Sequence, residues 1–181
     1  MSTVIDRPRV TPTTSAVTAT SAAPTRSAGL RAVAEAGLDR LAGLLAAHSI
    51  TVLRVSLGVV FLTFASFKFV AGASPAEGLA VATVDKLTLG IVSGDAALLM
   101  TAVMETVIGL CLLTGRFLRF GLVVLATALA GIMSPLVLFP DQMWSGNGPT
   151  LVGQYVFKDI VLIAGGLVVA AHALGARLQR D

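Results

Sequence analysis

Four apolar runs dominate this chain. They cover about residues 50–71, 96–113, 120–139 and 152–174, each close to the ~20 residues an α-helix needs to cross ~30 Å of hydrocarbon. A backbone placed in lipid must satisfy its own hydrogen bonds, so runs of this length read as membrane-spanning helices. Composition agrees: 55% of the residues are hydrophobic and 13% charged, against about 45–50% and about 25% in an average soluble domain. The expected fold is an all-α integral membrane protein, a four-transmembrane-helix bundle occupying residues 49–176.

Two segments precede the bundle. Residues 1–28 are rich in Thr, Ser, Ala and Pro and bury too little apolar surface to offset ordering entropy, so a disordered tail is expected. No apolar run follows its early arginines, which excludes a secretory signal reading. Over residues 29–48, Leu30, Ala34, Leu38, Leu41 and Leu45 recur at spacings of three and four, while Arg31, Glu35 and Asp39 fall on another face. That pattern predicts an amphipathic helix lying in the membrane interface. Residues 72–95, between the first two runs, are too punctuated and charged to span. Leu79, Val84, Leu87 and Ile91 give them the pattern of a short helix over the mouth of the bundle.

Arginine placement orients the chain. Arg7, Arg9, Arg26, Arg31 and Arg40 precede span one, Arg116 and Arg119 separate spans two and three, and Arg177 and Arg180 follow span four. With four spans all of these fall on one side, which predicts cytoplasmic termini in a bacterial inner membrane. The net charge of +3 is spread over helix ends rather than gathered in a patch. The lipid bilayer, not nucleic acid, is the expected partner.

Five ionisable residues lie in or near the apolar runs: Arg54, Lys68, Glu105, Lys158 and Asp159. Each costs roughly 2.5–3.5 kcal/mol at a helix centre. Arg54 and Lys68 are ~21 Å apart along a helix and can each reach an interface; Lys68 also qualifies as a site residue. Glu105 lies about nine residues, ~13 Å, from the outer end of its helix, too deep for a short side chain to reach water. It has to be protonated, paired or beside a wet cavity. By depth Lys158 is its expected partner, with Lys68 second. Tyr155 and Asp159 share one helical face at i, i+4; Gln154 and Lys158 share another about 100° away. Together these residues predict either a polar pocket in the outer half of the bundle or an ion-pair network that fixes helix register.

Trp144 and Tyr155 suit the interface as aromatic anchors, and Trp144 also qualifies to stack on a ring-shaped ligand such as a quinone head. Pro135 is expected to kink or end span three. His48 and His172 sit at span boundaries, where they serve as polar caps better than as a haem ligand pair. A single cysteine, Cys111, excludes a paired-thiol redox centre within one chain, and no metal-ligand spacing or phosphate-binding glycine loop is present. Gly109, the pair Ala126 and Ala130, and the pair Gly166 and Ala170 are small residues at spacings that let helices approach.

Several stretches resemble DoxX-like membrane proteins: LRVSLGVVFLTFASFKF at 53–69, the Glu-Gly at 77–78, ETVIGLCLLTGRFLRFG at 105–121, and the SPLVLFP and GQYVFKDIVLIAGGLVV segments between 134 and 169. The second and last of the longer motifs are also similar to the related RclC group. The likeness covers about residues 50–172. It implies a compact four-helix inner-membrane bundle, redox or oxidative-stress biology, and Lys68, Glu77, Glu105, Lys158 and Asp159 as the pattern positions. The leading expectation is a redox subunit that binds a quinone or a small sulfur species through Lys68, Glu105, Trp144, Tyr155, Lys158 and Asp159. Glu105 would carry the proton and a soluble oxidoreductase partner the electrons. Two other readings stay open, a small proton-coupled transporter working as a homodimer and a non-catalytic membrane anchor for soluble enzymes.

Overall fold

The computed structural model describes residues 26–70 and 72–177, side chains from residue 31 onward. The expected tail thus lies almost wholly outside the described residues; only Arg26, Ser27 and Ala28 fall within, and they are helical. The chain divides into two compact units, Met1–Arg40 and Leu41–Asp181. In the first, residues 31–40 are helical and all exposed.

The long elements are α1 (Arg26–Lys68), α2 (Glu77–Leu87), α3 (Gly94–Thr114), α4 (Leu118–Met133) and α8 (Ile160–Ala173). Shorter ones are α5 (Pro135–Leu138), α6 (Pro140–Met143), strands β1 (Trp144–Ser145) and β2 (Gly148–Pro149), and α7 (Leu151–Phe157). Four segments are long and apolar enough to cross a membrane: Arg31–Lys68, Gly94–Thr114, Leu118–Leu138 and Leu151–Ala173. This is the helical, multi-pass arrangement that the apolar runs predict.

One expected boundary is absent. The amphipathic segment 29–48 and span one are not separate helices, because α1 continues through His48 and Ser49. Neither glycine nor proline interrupts residues 44–57, and the His48 Nδ1 lies 3.2 Å from the Leu44 carbonyl one turn back. Leu38, Leu41 and Leu45, the proposed apolar face, are exposed.

Within the second unit the helices pack where side chains are small. A Cβ on Gly109 would lie 2.5 Å from Leu62 and 3.0 Å from the Gly58 carbonyl, so α1 and α3 cross at a glycine pair. Gly121 of α4 backs onto Cys111 of α3, and Gly165 and Gly166 of α8 meet Leu57 and Leu125. Without a hydrophobic drive between helices in lipid, such close approach is a main source of association. Around these contacts lies the core: Leu57, Phe61, Ile108, Leu112, Leu125, Leu129 and Val169. Ala126 and Ala130, expected to pack in the same way, are exposed; they lie on the outward face of α4.

The turns follow from sequence. Gly115 ends α3 in the left-handed region, φ 69°, where its N–H reaches the Cys111 carbonyl at 3.0 Å. Arg54 of α1 adds a side-chain cap, its guanidinium donating to the Leu112 and Leu113 carbonyls. Pro135 interrupts span three as expected, since it has no N–H for the Gly131 carbonyl. Ser134 fills that vacancy, with its Oγ 2.7 Å from the same oxygen. Beyond it, β1 pairs antiparallel with β2, Trp144 opposite Pro149. Thr150 then caps α7 by accepting from the Gly153 N–H at 3.0 Å.

Candidate functional site

Lys68 closes α1 and Glu105 lies mid-way along α3, yet the two meet. The Lys68 Nζ is 2.8 Å from Glu105 Oε1 and 2.7 Å from Oε2, with the side chains 6% and 11% exposed. The Gly58–Gly109 crossing sets α1 and α3 antiparallel and puts Lys68 about 9 Å beyond the level of Glu105. Helical side chains lean toward their own N-terminus. In an antiparallel pair they therefore lean toward each other, Lys68 back into the bundle and Glu105 out toward the α1 end. The lysine stem spans the remainder.

This corrects the expected pairing of Glu105 with Lys158. Lys158 is exposed, and its Nζ rests 3.9 Å from the centre of the Tyr155 ring. Lys158 and Asp159 stand about 100° apart on one helix, so only one of them can face inward. The inward stripe is Tyr155, Asp159 and Leu162; Gln154 and Lys158 are exposed. The helix tightens here, with Asp159 N donating to Val156 O at 3.0 Å and Leu162 N to Asp159 O at 2.9 Å, three residues apart.

Lys68, Glu105, Tyr155 and Asp159 all border one cavity of about 270 Å³ enclosed by α1, α2, α3, α4 and the α7–α8 segment. The rest of its wall is largely apolar: Phe61 and Phe64 of α1, Leu79 and Val84 of α2, Met100 and Met104 of α3, Ile132 of α4 and Val156 of α7. Phe64 and Tyr155 meet edge to face, ring centres 6.3 Å apart. Three threonines also line it, but Thr83, Thr101 and Thr127 each bond a carbonyl of their own helix. The polar groups left to a ligand are the ion pair, the Tyr155 hydroxyl and the Asp159 carboxylate. Among the described residues neither of the last two makes a hydrogen bond through its side chain.

No family model, curated protein or solved structure matches this chain. What can be said of the site therefore comes from its own geometry. Of six candidate residues, four line the cavity and two do not. Lys158 faces away, as above. Trp144 stands in β1, 46% exposed, and is not part of the cavity wall; pairing with Pro149 holds it in the short hairpin. Glu77 starts α2 and accepts from the Gly72 N–H at 3.0 Å, a local cap. His48 and His172 are both exposed, and no group of three or more His, Cys, Asp or Glu gathers among the described residues.

Sequence reading missed the apolar part of the site. Phe61, Phe64, Met100 and Met104 belong to ordinary apolar runs, and nothing local distinguishes a cavity wall from a packed core. One available signal was the spacing of Met100, Thr101, Met104 and Glu105, which puts two adjoining stripes on one side of α3.

Proposed function

We propose that this chain is a multi-pass subunit of a membrane redox or oxidative-stress system, of the DoxX-like kind its sequence resembles, and that its cavity holds a quinone. The observation that carries this reading is a buried ion pair, Lys68 with Glu105, on the wall of an otherwise apolar cavity. Charges placed inside a membrane are costly and mark pathways or ligand sites by default. A few convergent polar groups in an apolar pocket are the usual form of a small-molecule site.

Size and chemistry favour a single ring over a larger substrate. About 270 Å³ lies near the lower edge of the roughly 300–1,000 Å³ range of ligand pockets. A small sulfur species would also fit by volume, but it would leave the Phe61, Phe64 and Tyr155 surfaces without a partner. In this reading the Lys68 ammonium and the Tyr155 hydroxyl donate to a ring carbonyl oxygen, and Glu105 and Asp159 pass protons. Reduction of a quinone takes two electrons and two protons. The electrons come from a soluble oxidoreductase partner, since a single cysteine gives the chain no dithiol of its own.

The same reading places the protein in a bacterial inner membrane with both termini cytoplasmic, on the arginine distribution. Native mass spectrometry of protein released gently from its own membrane tests the proposal. A quinone-sized mass should accompany the wild type and be missing from Lys68→Ala. A wild-type chain released bare from quinone-replete membranes sinks it.

A further inference from the structure

We infer that the cavity opens sideways into the lipid between α3 and α4, and that its ligand carries a long apolar tail out through that gap. This rests on the ligand-binding reading above and adds the route and the tail.

The two helices form an antiparallel hairpin that is closed at its turn and open farther along. Near the turn a Cβ on Gly121 would lie 2.4 Å from the Cys111 Cβ. Following that register, Thr101 stands opposite Gly131. There a Cβ on Gly131 would meet nothing within 4 Å, although Gly131 borders the cavity. Over ten residues, about 15 Å of helix, the pair goes from overfull to empty. Thr101 is seven residues into α3, about 10 Å from its start, so the gap lies at hydrocarbon depth.

Met100 and Thr127 border the cavity on α3 and α4 and are themselves exposed, Met100 at 37%. Met100 and Met104 are unbranched and adaptable, so they can swing without disturbing the helix. The rim offers no free donor: the Thr127 hydroxyl is 3.1 Å from Val123 O and that of Thr101 2.8 Å from Leu98 O. Such a rim suits a hydrocarbon chain and not a charged one. The route under α2 is fastened instead, with Lys86 Nζ donating to Leu138 O at 2.9 Å and standing 4.8 Å over the Phe139 ring. The ligand class is therefore a lipid with a polar ring head and a linear or isoprenoid tail.

A benzoquinone carrying a diazirine at the end of a decyl tail distinguishes the routes. The full-length protein in its native membranes is photolabelled, and peptides are mapped with and without excess tailless benzoquinone. The expected result is competable labelling on residues 100–104 and 127–131, lost in Gly131→Leu, which fills the gap. Competable labelling concentrated on residues 79–87 overturns the lateral route and leaves the quinone site standing. Absence of competable labelling anywhere overturns both.

Discussion

Arg54 and Lys68 are two cations on one helix that meet the same difficulty in different ways. Arg54 gives its guanidinium to carbonyls that the end of α3 leaves open, so its charge completes a helix. Around it the bundle is closed by the Gly58–Gly109 crossing and the core leucines. Lys68 instead meets a second charge, Glu105, and the two face a cavity. One end of the second unit uses its charge to finish the fold, and the other keeps an ion pair where packing alone would be cheaper. Replacing a buried pair by apolar residues is often neutral or stabilising, so a pair kept beside empty space argues for use rather than for stability.

The sharpest way to break the comparison is to remove half of the pair. Lys68→Met should destabilise the bundle by about 3–5 kcal/mol, because it leaves the Glu105 charge buried alone. Lys68→Met with Glu105→Met should recover most of that loss in a thermal melt and still abolish ligand retention. If the double variant stays as unstable as the single one, the pair is structural. Arg54→Leu ranks next, at about 1.5–3 kcal/mol for hydrogen bonds to a charged donor, with ligand retention unchanged by native mass spectrometry. Glycines give a matched contrast. Gly109→Ala should cost about 1–3 kcal/mol by overpacking against Leu62, whereas Gly131→Ala should stay within about 0.5 kcal/mol of wild type. Lys158→Ala should also be mild, about 0.5–1 kcal/mol for an exposed cation over a ring, with the ligand retained. Loss of the ligand in that variant would return Lys158 to the site.

The spans were legible because hydrocarbon imposes one strong rule, and runs such as 120–139 obey it almost without exception. Glu105 stood out for the same reason, as a charge too deep to explain away. The helix period put Lys158 and Asp159 on different faces, but it could not tell which face the bundle would turn inward. That choice is made by tertiary packing around Tyr155, Val156 and Leu162. The boundary drawn near His48, where an amphipathic pattern gives way to an apolar run, has no counterpart as a helix end, since residues 44–57 contain nothing that stops a helix. Gly131 carried no local sign at all. Its value lies in what is missing across from it, and sequence spacing records neighbours rather than gaps.

The Arg54 cap also bears on how the chain is made. Its acceptor on α3 lies 58 residues later in the chain, and the partner of Lys68 lies 37 residues later. At synthesis rates of roughly 5–20 residues per second, both cations wait for seconds after α1 has left the ribosome. During that interval α1 has neither cap nor counter-ion on α3 and rides at whatever depth lets its cations reach water. Arrival of α3 supplies both at once, one at each end. The nascent first helix is thus drawn to its final depth by a later segment, and a ribosome stalled before Glu105 would leave it unseated.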